Sequence, residues 1–334
     1  TFSVITKNIR YKKIRSRTSF MSRTQSGSQS ALISAKELNE IKGTVKIIDA
    51  SWYMPFVNRE PKDEFLRARI PNSSFFDIDA VCDVEEKALP HMLPKEKAFA
   101  LACDSVNVSA RDDVVVYDRA ENGVFSCCRL WWMFKAFGHR GTVRVLDGGF
   151  EAWKREGFDV DMNVCGEEEV LKSKSACARA YESTDDRLVA KYEAKLNLNR
   201  LATIESVRRD VCEENKKQCV DARPAGRFLG TTAEPRPGLA CGSIPNSKNV
   251  PFPEVLDAAG KFKTKEALLE IFQQAGMELN DKEKKIVATC GTGVTACILT
   301  LAMHECGRDD VEVYDGSWCE WGSRSDVPVK TSSS

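Results

Sequence analysis

Thirteen cysteines occur in the 334-residue chain, and one of them sits where a thiol can react. Cys290 follows the apolar run Ile286-Val287-Ala288-Thr289 and opens the stretch Cys290-Gly291-Thr292-Gly293-Val294-Thr295-Ala296. The run predicts a buried parallel strand. Residues 296–303, apolar nearly all round, predict a buried helix that stops at Gly307. In an open parallel sheet, the loop leaving the carboxyl end of a strand is the reactive position. Gly291 and Gly293 permit backbone conformations that a side chain obstructs. Successive N–H groups, through Val294 and Thr295, can then turn inward as an anion cradle at the start of the helix. A thiol in such a field ionises more readily, and the thiolate is the nucleophile. The other cysteines read as small buried hydrophobes, with Cys297 and Cys306 in helix packing and Cys127 and Cys128 at the start of a second helix.

The elements that position this loop come from a duplication. VKIID at 45–49 has a counterpart in QCVD at 218–221, and RIPNS at 69–73 in GSIPN at 242–246. VVVYD at 114–118, with its loop and the helical pattern 128–137, matches 286–290, its loop and 295–305. VRVLDG at 143–148, followed by Trp153, matches VEVYDG at 311–316, followed by Trp318 and Trp321. The offset stays near about 170 residues, which is a doubled domain rather than a solenoid repeat. Where the second copy has Cys290 the first has Asp118, so only the second carries the thiol. Short Val- and Ile-rich runs alternate with helical spacing (Leu201, Ile204, Val207, Val211; Leu268, Ile271, Phe272, Ala275). The fold class is therefore α/β, a parallel sheet flanked by helices in each copy. The expected boundaries are a leader over 1–30, a non-catalytic domain over 31–160, a connection over 161–199, a catalytic domain over 200–328 and a tail over 329–334.

Bulk composition narrows the class. Lys+Arg and Asp+Glu both number 49, which gives no support for a nucleic-acid or membrane-surface binder. No apolar run is long enough to cross a bilayer. The cysteines are odd in number and irregularly spaced, with no Cys-x-x-Cys pair, which argues against a disulfide scaffold or zinc ribbon and for a reducing compartment. His91, His139 and His304 are scattered, so no metal site is expected; His139 and His304 read as structural. Residues 1–30 carry Lys7, Arg10, Lys12, Lys13, Arg15, Arg17 and Arg23, with no acid before Glu37. This pattern reads either as a mitochondrial transit peptide or as a disordered basic tail, hence a mitochondrial or cytoplasmic location.

Over about residues 31–326 the chain resembles the tandem rhodanese family, in its mercaptopyruvate branch. The resemblance rests on Asp49-Ala50-Ser51-Trp52-Tyr53, Phe75-Phe76-Asp77-Ile78-Asp79, His91-Met92-Leu93-Pro94, Trp131-Trp132-Met133-Phe134, Asp147-Gly148-Gly149 and Tyr314-Asp315-Gly316-Ser317-Trp318. It implies a persulfide on Cys290, with no cofactor. Thiosulfate-specific relatives carry basic residues after the cysteine, whereas Gly291 and Thr292 are neutral. The usual serine of the mercaptopyruvate loop is replaced here by Thr292, which keeps the hydroxyl and adds a methyl. The resemblance further places Arg227 and Arg236 on the donor's carboxylate and carbonyl, a task suited to the planar guanidinium fork. Arg236 has a second reading as a solvated loop charge, and Arg223 reads as pairing within its own domain. Asp79 and His91 match relay positions that would join Thr292 across the two domains.

The implied chemistry is ping-pong sulfur transfer from 3-mercaptopyruvate to thioredoxin, a small thiol or cyanide. Three rivals remain. A thiosulfate sulfurtransferase would use the same cysteine. A cysteine phosphatase needs an arginine at the far end of the loop, where this chain has Ala296. A non-catalytic binding module would have no use for the complete Cys-Gly-x-Gly loop.

Overall fold

The computed structural model describes residues 30–85, 89–121, 123–183 and 187–332. The leader read over 1–30 lies outside the described residues apart from Ser30. Two five-stranded parallel sheets are present. The first contains β1 (Leu32–Ile33), β2 (Lys46–Asp49), β3 (Ser73–Phe75), β4 (Val114–Tyr117) and β5 (Val143–Leu146), in the order β1-β5-β4-β2-β3. The second contains β6 (Leu201–Ala202), β7 (Gln218–Asp221), β8 (Ser247–Asn249), β9 (Ile286–Thr289) and β10 (Glu312–Tyr314), in the order β6-β10-β9-β7-β8. The same order twice is the architecture expected of the duplication. Strands β4 and β9 sit at the centre of their sheets and are buried along their whole length, which accounts for their unbroken apolar runs. Their carboxyl ends deliver Asp118 and Cys290 to equivalent loops.

Helix Ala296–Glu305 is buried on every side from Ala296 to His304. It packs against β9 of its own sheet and against helix Cys127–Ala136 of the first copy. Sandwiched this way it has no solvent face, so it needs no amphipathic pattern. Ile298, Leu299 and Leu301 are fully buried, and each such side chain contributes roughly 1.5–3 kcal/mol of transfer free energy. One apolar cluster consequently runs through both domains, from Phe99 and Trp132 to Ile298 and Phe272. Smaller clusters around Trp153 and Trp321 cover the other face of each sheet.

Some expectations are adjusted. Leu201 does not join a helix with Ile204 and Val207. It lies in β6, because Thr203 caps a new helix at Ile204–Val207 with a reciprocal capping box to Ser206. The helical run then continues as a π-helical turn, Arg208–Glu213. The stretch 161–199, read as a connection, carries helix Glu168–Glu182, whose Val170, Ser173, Ala176 and Cys177 are buried and which packs against helix Glu96–Ser105 of the first copy. The tail begins in contact, since Ser243 and Lys330 exchange backbone hydrogen bonds at 2.8 and 2.9 Å. Both Pro-Asn motifs place their asparagine, Asn72 and Asn246, in the left-handed region at φ 64°, just ahead of β3 and β8. Asparagine tolerates that conformation, which explains why the motif recurs.

Candidate active site

Cys290 is 2% exposed and sits at the base of a cavity of about 260 Å³ between the domains. Its own loop supplies Gly291, Thr292, Val294 and Thr295 to the lining, and the first domain supplies Trp52, Met54, Phe56 and Phe125. Ala222, Arg223, Pro224, Arg227, Arg236 and Phe252 complete the wall. A larger cavity of about 450 Å³ lies on the other side of Phe125 and Phe252, but no cysteine lines it. Chemistry rather than size therefore selects the site.

The loop's backbone is sorted by the helix that follows it in space. Trp318 and Cys319, in helix Ser317–Trp321, donate their N–H groups to the carbonyls of Cys290 and Gly291 at 3.0 and 2.9 Å. The Cys290 N–H donates to Ser317 Oγ at 3.2 Å, and that hydroxyl donates onward to Tyr314 O at 2.7 Å. Ser317 is fully buried at φ 49°, a strained position for a serine that this hydroxyl network holds in place. With the carbonyls thus engaged, the five N–H groups of residues 291–295 have no acceptor among the described residues. Buried backbone donors are rarely left unpaired, so this run, buried at Thr292, Gly293 and Val294, is suited to hold an anion.

Three arginines line the cavity, and no acidic residue does. Arg223, 1% exposed, pairs with Asp221 at 2.6 Å and Glu234 at 2.8 Å and stacks over Trp318 at 4.0 Å. It is structural, as its sequence position suggested. Arg227 is held by the other oxygen of the buried Glu234, with Nε at 3.0 Å. Its Nη2 lies 3.2 Å from where a Cβ on Gly291 would stand. Glycine therefore lets the guanidinium rest on the loop, and a basic side chain there would displace it. Arg236 has no ion pair or hydrogen bond among the described residues. Asp221 and Glu234 pair with Arg223 and Arg227, whereas Arg236 has no direct partner among the described residues and acts at longer range on the Asp79 carboxyl.

The three relay candidates are only partly brought together. His91 Nε2 lies 2.9 Å from Asp79 Oδ1, at an angle too oblique for a proper hydrogen bond. His91 holds the Asp79 carboxyl below its usual range, against a smaller opposing effect of burial. Thr292 is 6% exposed and makes no side-chain hydrogen bond to either residue. His91 Nδ1 is buried without a partner. The histidine adopts φ 65°, and its counterpart in the second copy is Gly260 at φ 73°. A side chain is thus held where the other copy uses glycine, a departure of the kind that clusters at functional positions. His91 also packs edge-on against Trp52 at 4.6 Å.

Several site residues went unassigned from sequence. Arg129, on helix Cys127–Ala136, is 1% exposed and lies 2.6 Å from Asp315 Oδ1 of the second domain. It also donates to Gly293 O at 3.3 Å and to His91 O, tying the cysteine loop to the first domain. A charged residue inside the apolar helix CCRLWWMFKA was the available signal. Asp315 Oδ2 accepts the Leu93 N–H at 2.6 Å, and in the first copy Asp147 Oδ1 accepts the Phe262 N–H at 2.9 Å. The two Asp-Gly motifs thus cross the interface in opposite directions. His139 bonds Tyr192 and Asp112 O, and His304 pairs with Asp309 at 2.8 Å, both structural as expected. All thirteen cysteines are free thiols. Among the described residues there is no cluster of His, Cys, Asp or Glu able to hold a metal, and no helix long and apolar enough to cross a membrane.

The chain is similar to known proteins over most of its length. A family model for the rhodanese-like domain matches residues 34–156 and again 203–324. A thiosulfate/3-mercaptopyruvate sulfurtransferase of Arabidopsis thaliana, named as mitochondrial, is 41% identical over 86% of this chain and 74% of its own length. The 3-mercaptopyruvate sulfurtransferase of Rattus norvegicus is 40% identical over 84% of this chain and 86% of its own. The crystal structure of SseA from Escherichia coli, described among 3-mercaptopyruvate sulfotransferases, superposes with a TM-score of 0.70 at 30% identity, covering 87% of this chain and 99% of that one. The chain belongs to the rhodanese-like family, with two such domains in tandem.

Proposed function

We propose that this protein is a sulfurtransferase that takes sulfur from 3-mercaptopyruvate onto Cys290 and passes it to a thiol or cyanide. The observation that carries this reading is a buried thiol in a loop whose five following N–H groups have no acceptor among the described residues, in a cavity also lined by Arg227 and Arg236. Arg227 and Arg236 orient the donor through its carboxylate and carbonyl. The Cys290 thiolate attacks the donor's sulfur, forming the S–S bond as the donor's C–S bond breaks. The electron pair passes to carbon as the enolate of pyruvate, and the proton of the donor's thiol ends on that carbon. The cradle then holds the anionic outer sulfur of the persulfide. Thr292 offers a hydroxyl on the cavity wall able to carry the donor's proton, while Asp79 and His91 contact each other and make no hydrogen bond to it. An acceptor thiol, such as that of reduced thioredoxin, attacks the outer sulfur and regenerates Cys290.

The donor assignment rests on charge. The loop is neutral at Gly291 and Thr292, where basic residues would suit a dianionic donor, and Arg227 and Arg236 on the wall suit a single carboxylate. Thiosulfate is the second reading, because the Arabidopsis relative's name includes both donors. Catalytic efficiencies with the two donors decide between them. Preference for 3-mercaptopyruvate is expected, and clear preference for thiosulfate would overturn the assignment. The basic leader leaves mitochondrial and cytoplasmic locations as the two alternatives.

A further inference from the structure

The loop of the first copy that corresponds to the Cys290 loop is closed by its own side chain. Asp118, 1% exposed, stands in the cysteine's place. Its Oδ2 accepts the N–H groups of Phe125 at 2.8 Å, Ser126 at 2.6 Å and Cys127 at 2.8 Å, and its Oδ1 accepts that of Ala120 at 3.2 Å. Counted back from the helix starts at Cys127 and Ala296, Phe125 and Ser126 occupy the positions of Val294 and Thr295, two of the five open N–H groups of the second copy. The carboxylate therefore fills the cradle that stays open around Cys290. Burial pushes the Asp118 carboxyl up, and the amide donors of Cys127, Phe125 and Ala120 oppose that effect. An apolar residue here would leave these buried N–H groups without acceptors.

The consequences of this closed loop reach the catalytic cavity. Phe125 lines it directly. Ser126 Oγ donates to Ala50 O at 2.8 Å and accepts the Trp52 N–H at 3.0 Å. Trp52 lies parallel to Phe125 at 6.0 Å between ring centres, and Phe125 packs against Phe252 at 5.6 Å. We propose that Asp118 is a positioning residue of the active site. It is a tethered anion that fills the first copy's cradle, fixes Phe125 and Ser126, and through Ser126 fixes Trp52, so that the degenerate loop serves as the aromatic wall of the Cys290 cavity. The assay of this role rests on the sulfur-transfer reading above.

The test is steady-state kinetics of the full-length protein with 3-mercaptopyruvate, on wild type, Asp118→Ala and Ser126→Ala, with and without formate. Formate can replace the lost carboxylate, and the cavity lined by Ala120, Val124 and Phe125 gives it access to the loop. Asp118→Ala raises KM about fivefold or more with kcat within about twofold of wild type, because the nucleophile and both substrate arginines lie in the other domain. Formate brings the variant's KM back toward that of wild type measured at the same formate concentration. Ser126→Ala raises KM similarly without formate rescue, since its cradle is already filled. If Asp118→Ala does not fold, Ser126→Ala carries the test. KM within twofold of wild type in the folded variants would overturn the proposal, as would a loss in kcat alone that formate leaves unchanged. Should wild type itself fail to turn over the donor, the functional reading fails separately. The Asp118 role is then read from the rate at which iodoacetamide alkylates Cys290. A change of threefold or more, reversed by formate in Asp118→Ala, supports it, and an unchanged rate overturns it.

Discussion

Two glycines of the cysteine loop, two residues apart, should respond to alanine in opposite ways. Gly293 has φ +75°, and a Cβ there would stand 2.9 Å from Arg129 Nη1 and from the backbone oxygen of Asp315. The left-handed conformation costs a non-glycine residue roughly 1–2 kcal/mol. Forcing a methyl into those contacts adds about 1–3 kcal/mol, because one neighbour is backbone and the other is held in a buried ion pair. Gly293→Ala should therefore destabilise the protein by about 3 kcal/mol. Gly291 has no positive φ, and its added methyl meets only the tip of Arg227 at 3.2 Å. Its stability should change by less than about 1 kcal/mol. Arg227, however, must shift by a few tenths of an ångström, and an orienting group moved that far should raise KM for an anionic donor about three- to tenfold. Urea unfolding followed by tryptophan fluorescence and pyruvate release measured on the same preparations separate the two effects. A wild-type urea midpoint for Gly293→Ala would refute the reasoning. So would a Gly291→Ala variant that loses stability while keeping its KM.

Other expectations follow from the interface. Arg129→Ala leaves Asp315 buried without its guanidinium and should cost about 3–5 kcal/mol in urea unfolding, whereas the double variant Arg129→Met with Asp315→Asn should recover much of that loss. Burial raises the Asp147 carboxyl to about 6 from an ordinary 3.8. The folded state therefore holds this proton to higher pH than the unfolded state, and the group's contribution to stability declines as pH rises from about 4 to about 6. Asp147→Asn keeps an acceptor for the Phe262 N–H and removes the ionised form, so it should stabilise the protein by on the order of 1 kcal/mol at pH 7.5. That gain should vanish below about pH 4, and thermal unfolding at the two pH values checks it.

The sheet architecture was legible because the central strands are buried on both faces and so leave unbroken apolar runs, such as VVVY at β4 and IVAT at β9. The cysteine loop was legible because its two glycines mark unusual backbone beside a nucleophile. The edge strands β1 and β6 were not, since two residues carry no period. Leu201 fell on a helical spacing only because its strand runs straight into the helix at Ile204. Helix Glu168–Glu182 was hidden by its charged exposed face, although Val170, Ser173 and Cys177 keep the helical interval. Arg129 acts through a partner far away in sequence, Asp315, and local pattern cannot announce such a pair. Asp118 was recognised as a missing thiol, while its grip on four backbone amides is visible only once the loop is folded.

The central claim is that sulfur rests on Cys290, and intact-peptide mass spectrometry after brief treatment with 3-mercaptopyruvate tests it most directly. One added sulfur atom is predicted on the Cys290 peptide of wild type, lost on addition of a reducing thiol, and no added sulfur on that peptide from Cys290→Ser. Pyruvate release with no added sulfur on the Cys290 peptide, or undiminished turnover by Cys290→Ser, would contradict the account.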